Sequence, residues 1–252
     1  MFTVAFRLVT NTKGREKMKQ PKTERNMYPE AKKTWNPFVG CLFDCVYCEN
    51  SFKRQMKRRK NKCGLCYNFK PHTHPERFEQ HLPKTSGKDF VFCCDMGDWA
   101  FCPHEMKKAI IQKMSGTPQT TFLLQSKSPV AFLTYKFPEN VILGTTIETN
   151  NEMLYNGISK AAPLSARICL LRNVNHKRKE VTIEPIIDFA IDILTDWITS
   201  IGPEFVYVGY DSKQNFLPEP ELEKTMLFIE RLRENGLEVR TKLLRKAWWE
   251  TE

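Results

Sequence analysis

The chain contains no apolar run long enough to cross a bilayer, a feat that takes about 20 predominantly apolar residues. Its nearest approach, residues 183–201, is interrupted by Glu184, Asp188, Asp192 and Asp196. The apolar core of a secretory signal is missing as well, because the opening Met1–Val9 run is short and broken by Thr3 and Arg7. Without such a signal the nine cysteines do not read as a disulfide framework. Reduced thiols, metal binding and a cytoplasmic setting are the expectation. What is present is ordinary globular composition, 41% hydrophobic and 27% charged over 252 residues. That length suits one domain over 1–252, with a lead segment at 1–30 and a basic insertion at 50–88.

Acidic residues are the minority, 29 against 39 basic, and the net charge is +10. The excess is concentrated: Lys53, Arg54, Lys57, Arg58, Arg59, Lys60 and Lys62 crowd one short stretch. Such a run neutralises phosphates or forms the solvated face of a helix.

Just before it, Cys41, Cys45 and Cys48 follow the spacing C-x3-C-x2-C. A 4Fe–4S cluster is normally held by four thiolates, so three leave one iron open to a small molecule. A zinc loop, or thiols packed as small hydrophobes, is the plainer reading, but zinc sites usually pair two CxxC knuckles. With Tyr47 beside the last cysteine, the loop resembles that of the radical S-adenosylmethionine (SAM) enzymes. The resemblance implies a unique iron that chelates SAM, with the Tyr47 ring near the adenine.

Downstream, β-branched runs alternate with amphipathic segments. Strands are expected at 33–38, 90–94, 120–125, 141–147, 181–184, 205–208 and 237–243. A helix opened by Pro103 and closed by Gly116 carries Met106, Ile110 and Met114 on one face. A second has a stripe of Ile187, Ala190, Ile191, Leu194, Trp197, Ile198 and Ile201, with Asp188, Asp192 and Asp196 on its solvated side. A third, over 220–235, turns Leu222, Met226, Ile229 and Leu232 inward. Asn150 or Asn151 can cap a further helix. Strand-helix repetition implies a parallel sheet with right-handed crossovers, and six or seven units imply an open, partial barrel.

In such folds ligands bind at strand C-termini, which singles out Gly97, Asp98, Glu148 and Glu184. Glycine admits close backbone approach, and carboxylates suit an ammonium or ribose hydroxyls. Cys63, Cys66, His72 and His74 form C-x2-C-x5-H-x-H, a candidate closed zinc set. Cys93, Cys94 and Cys169 lie in apolar runs and read as core. Cys102 is a weak candidate for a catalytic thiol. Trp248 and Trp249, beside Arg245 and Lys246, either stack on bases or close a core.

Several segments in order carry a closer resemblance: Thr34-Trp35-Asn36-Pro37, the stretch from Phe69 to Arg77, Met96-Gly97-Asp98, Thr182-Ile183-Glu184-Pro185-Ile186, and Asp211-Ser212-Lys213 with Leu217-Pro218-Glu219-Pro220. From about Thr34 onward the chain resembles a phage and archaeal three-Cys-motif radical SAM family of unknown function, distantly similar to spore photoproduct lyase. Many members have a longer gap between the first two cysteines. The resemblance implies an α/β fold, a partial (β/α)6 TIM-like barrel, with a cluster on Cys41, Cys45 and Cys48. It implies SAM lying across Gly97, Asp98, Glu148 and Glu184. The implied reaction is reductive cleavage of SAM to a 5′-deoxyadenosyl radical that abstracts hydrogen. The basic run and the kinship to a DNA-repair lyase favour a nucleic-acid or nucleotide substrate. A flavodoxin- or ferredoxin-type electron donor and a three-Cys-motif partner protein are the implied partners, and no membrane. The competing reading is a zinc-stabilised, basic nucleic-acid-binding module without catalysis.

Overall fold

The structure, a computed structural model, describes residues 28–251. Most of the lead segment, Met1–Val9 included, lies outside them. Within them, β1 (Ala31–Trp35), β4 (Phe90–Cys93), β5 (Phe122–Gln125), β6 (Val141–Thr146), β7 (Lys179–Ile183), β8 (Phe205–Val208) and β9 (Val239–Thr241) make one parallel sheet. Its strands stand side by side in chain order. Two short strands, β2 (Phe38–Val39) and β3 (His72–Thr73), pair antiparallel apart from it. The sheet curls into a half-barrel, the partial TIM-like architecture expected, with β1 and β9 at its edges.

The helices pack on the outer face: α1 (His104–Ser115), α2 (Leu164–Asn173), α3 (Ile191–Ile201) and α4 (Leu222–Glu234). Pro103 and Gly116 flank α1 as expected. Other expectations need correction. Between β5 and β6 there is only a turn at Pro129–Phe132. Helix α3 starts four residues later than its stripe suggests. The backbone N–H groups of Ile186, Ile187 and Asp188 donate to the carbonyls of Gly209, Glu148 and Pro218, so this stretch is loop. Asp188 therefore leaves the aspartate row and pairs with Lys224 at 2.6 Å, while Asp192 and Asp196 stay exposed on α3. On α4 the buried positions are Thr225, Phe228, Ile229 and Leu232, and Met226 is 39% exposed. The basic insertion at 50–88 holds short helical turns, from Glu49 to Arg59 and at Gly64–Tyr67.

Alternate strand residues separate two cores. Val91, Leu124, Leu143, Val181 and Val206 face the helices. Phe90, Phe92, Leu123, Ile142, Phe205 and Tyr207 fill the inside of the curl around Tyr28. The Tyr28 ring meets Phe92 and Tyr207 edge-on at 5.2 and 4.8 Å, geometry that suits aromatic quadrupoles.

Beside these rings lies a buried polar group. Gln125 Nε2 donates to Tyr28 Oη (2.6 Å), to Thr182 Oγ1 (2.9 Å) and to Glu180. Space for the Glu180 side chain exists because residue 144 is glycine; a Cβ there would lie 1.9 Å from Glu180 Oε1. Burial pushes the Glu180 carboxyl up from 4.5 to about 8, so the folded protein holds a proton there that the unfolded chain releases. Stability should therefore fall as pH rises from about 4.5 to about 8. Glu180→Gln should flatten that part of a denaturant-midpoint against pH profile. An unchanged slope would show that Glu180 does not titrate in this window.

Candidate functional site

The C-terminal ends of the strands surround a cavity of about 430 Å³. The loop after β1 contributes one wall with Cys41, Cys45, Tyr47 and Cys48. Two glycines place it. Gly40 has φ +103°, and a Cβ on it would come 2.3 Å from the Lys70 carbonyl. Its N–H donates to Met96 O (2.9 Å) and its carbonyl accepts from Asp98 N (3.3 Å), which lashes the loop to the end of β4. Gly97 completes that seam, where a Cβ would meet Gly40 O and the Phe38 ring at 3.1 Å. The close approach that Gly97 permits is thus to the cysteine loop itself.

The three thiols differ. Cys45 is held by Ser159 Oγ at 3.1 Å. The Cys48 thiol donates to it and Lys127 adds positive charge, so Cys45 drops to about 6 against the cost of burial. Donating to Cys45 pushes Cys48 up, and burial pushes Cys41 up. Around one zinc ion two sulfurs can be no more than about 4.6 Å apart. Among the described residues only Cys63, Cys66, His72 and His74 gather three or more ligand atoms within 4.8 Å of one another. As they stand, the first three cysteines are not a single-ion site.

Asp98 lies at the foot of the cavity, but its oxygens are engaged. Oδ1 accepts from Ala100 N (2.9 Å) and Ser126 Oγ (2.6 Å), and Oδ2 from Lys127 N (2.9 Å). Burial nevertheless raises its pKa. It pins the β5 loop to the β4 loop.

Glu148 departs furthest from expectation. It is fully buried and stands behind the cavity wall. Its carboxylate accepts from Lys127 Nζ (2.6 Å), Tyr155 Oη (2.9 Å), Arg167 Nη1 (2.9 Å) and Tyr47 Oη. Burial opposes the charge, but Lys127 and Arg167 prevail and hold the carboxyl at about 2. Tyr47 and Lys127, which do line the cavity, are set in place by it, with the ammonium 5.2 Å from the centre of the Tyr47 ring. Arg167 was missed by the sequence reading, although a signal existed. It shares the buried face of α2 with Leu164, Ile168 and Leu171, an arginine in an apolar register.

Glu184 faces the cavity from the end of β7. Lys242 Nζ donates to its Oε1 at 2.9 Å, while Oε2 is buried with no hydrogen-bond partner among the described residues. Burial raises its pKa, with Lys242 pulling the other way. Lys242 and Lys213 share this wall, Lys213 from the Asp211-Ser212-Lys213 segment after β8 and Lys242 without a signal in the sequence.

The remaining thiols sort differently from their sequence reading. Cys94 lines the cavity, whereas Cys102 is buried without reaching it. Cys93 and Cys94 are core as expected, the latter also bordering the cavity, whereas Cys169 is exposed on α2. Trp248 and Trp249 are half exposed, each Nε1 donating to a backbone carbonyl, at Leu217 and Glu219, so they close no core. Arg54, Arg58, Arg59, Lys60 and Lys62 are exposed, while Lys53 is tied to Asp44 at 2.6 Å. Among the described residues no helix is long and apolar enough to cross a membrane.

Three solved structures share this fold. A spore photoproduct lyase mutant with dinucleoside spore photoproduct aligns with TM-score 0.51 at 11% identity, over 81% of this chain and 62% of that one. A radical SAM methyltransferase from Sphaerobacter thermophilus gives 0.51 at 13%, over 86% and 67%. Streptococcus suis SuiB bound to S-adenosylmethionine gives 0.50 at 9%, over 83% and 46%. The chain thus spans about half to two thirds of the length of these proteins. At such identities the likeness is one of fold. No curated protein matches the sequence. The family model described as "Protein of unknown function (DUF5131)" matches residues 28–212, most of the chain, and the protein belongs to that family.

Proposed function

We propose that this protein is a radical SAM enzyme in which Cys41, Cys45 and Cys48 hold a 4Fe–4S cluster and SAM occupies the adjoining cavity. The observation that carries the reading is the pairing of three thiols on one wall with a buried carboxylate oxygen, Glu184 Oε2, that has no partner among the described residues, on the other. A buried acceptor without a donor costs free energy, and a ligand hydroxyl or ammonium removes that cost. When bound, the cluster and SAM would supply one-electron reductive cleavage of SAM and hydrogen abstraction from a substrate. The protein's part is to hold and orient. Glu184 accepts from SAM, and Tyr47, fixed by Glu148, offers a ring face. The Asp98 seam keeps the cysteine loop against the ends of the strands. The electron comes from a flavodoxin- or ferredoxin-type donor.

A nucleotide or nucleic-acid substrate suits the entrance. Ser51, Phe52 and Gln55 line the cavity and lead directly into the exposed Arg54, Arg58 and Arg59, with Lys213 on the wall as well. These cations complement phosphates.

The test is anaerobic purification with iron and sulfide reconstitution, followed by dithionite and SAM. The wild type should form 5′-deoxyadenosine, and Glu184→Gln should weaken SAM binding about tenfold, the loss of roughly one charge-assisted hydrogen bond. A reconstituted protein that binds iron but releases no 5′-deoxyadenosine would refute the catalytic reading.

A further inference from the structure

We infer that Cys63, Cys66, His72 and His74 form a second, closed metal site that takes one zinc ion and fixes the wall behind the cysteine loop. The four ligand atoms converge. Cys63 Sγ lies 3.4 Å from His72 Nε2, Cys66 Sγ lies 3.3 Å from His72 Nε2 and 3.1 Å from His74 Nε2, and the two Nε2 atoms are 2.8 Å apart. Ligands around a tetrahedral zinc stand about 3.3–3.8 Å from one another, so closing on an ion requires shifts of about half an ångström.

The outer nitrogens make the stronger argument. His72 Nδ1 faces the Lys70 carbonyl at 2.7 Å, an acceptor only, so Nδ1 carries the proton. His74 Nδ1 faces Glu76 Oε1 at 2.8 Å and must donate likewise. When neutral, the two rings therefore aim Nε2 lone pairs at one another. Side by side at 2.8 Å those lone pairs repel, and a cation between them turns repulsion into ligation. A histidine that donates its far N–H to a carbonyl or carboxylate is the usual outer support of a zinc ligand. The Cys66 N–H also points at Cys63 Sγ (3.4 Å), as suits a thiolate. Two thiolates balance the charge of a divalent ion, and an S2N2 set favours zinc.

Its place in the fold gives the site a task. Between the cysteine pair and the histidine pair run Phe69, which lines the cavity, and Lys70, whose backbone packs against Gly40. The basic run ends at Lys62, next to Cys63. Zinc would clip this insertion to the antiparallel β2–β3 pair and hold the back of the Cys41 loop.

Metal analysis of the full-length protein, expressed with zinc and purified without chelator, tests this. About one zinc per chain is expected. Cys45→Ala should keep it, and Cys63→Ser/Cys66→Ser should lose it while the first loop still takes up iron. Zinc absent from the wild type, retained in the double variant, or lost with Cys45→Ala overturns the proposal. Should the double variant fail to fold, cobalt titrated into metal-stripped wild type decides. Intense visible bands with thiolate charge transfer mean a tetrahedral S2N2 site, and only weak octahedral-type absorption refutes it. Stripping should also expose Arg58, Arg59, Lys60 and Lys62 to rapid tryptic cleavage that added zinc reverses. Since zinc and iron are read separately, the site stands or falls apart from the radical SAM assignment.

Discussion

Cys45→Ala should leave the reconstituted protein without its iron–sulfur absorption and reduce 5′-deoxyadenosine formation to background. Three thiolates are the fewest that can hold a cubane with a single open iron, and removing one leaves two irons without protein ligands. Among the three, Cys45 is the best prepared. It is buried, it accepts from Cys48, it touches Ser159, and its thiol sits at about 6, where a thiolate is available near neutral pH. Cys41→Ala and Cys48→Ala should behave alike. Cys169→Ser, at an exposed position on α2, is the control and should keep full iron and full turnover. Iron per chain, visible absorbance and chromatographic assay of 5′-deoxyadenosine check the prediction. If Cys45→Ala retained turnover while Cys63→Ser/Cys66→Ser lost it, the chemistry would have to be reassigned to the second cysteine set.

Parts of this site were legible in the residues because their signal is local. The cysteine spacing, the CxxC with its two histidines, and the polar residues after each apolar run need only a few neighbours to be seen. The sheet followed from alternation, and the seven anticipated strands all exist with edges moved by at most three residues. What was hidden depends on long-range pairing. Glu148 and Glu184 look equivalent in sequence, each a carboxylate after a β-strand. One is enclosed by Lys127, Arg167 and two tyrosines, and the other keeps a bare oxygen toward the cavity. No periodicity distinguishes them, since their partners lie up to 101 residues away. Helix α3 was extended too far for a related reason. The 184–190 segment has helical hydrophobic spacing, but its N–H groups are taken by neighbouring loops. Tyr28 gave no signal, because its place inside the curl exists only once the strands have closed around it.

Arg167→Met should destabilise the protein by about 3–5 kcal/mol, the usual cost of removing one partner from a buried ion pair. Both side chains of the Arg167–Glu148 pair are 0% exposed, so water cannot replace the lost guanidinium. The change also strips donors from the carbonyls of Thr146 (2.9 Å) and Ala162 (2.7 Å), and from Tyr155 Oη (3.0 Å). Lys127 alone then faces Glu148, whose carboxyl should rise from about 2 toward its ordinary 4.5. In the wild type this depressed acid adds stability above about 4.5 and loses it as pH falls toward about 2. The variant should therefore show a weaker acid-side decline, which a mere loss of packing would leave unchanged. For a chain of this size the melting temperature should fall by roughly 10 °C. Pairing Arg167→Met with Glu148→Gln should recover none of the loss, because Lys127, buried beside Glu148, would then stand without its counter-charge. A single-variant loss under about 1 kcal/mol, or full recovery in the double variant, would mean that the pair is not what holds Tyr47 and Lys127 against the cavity.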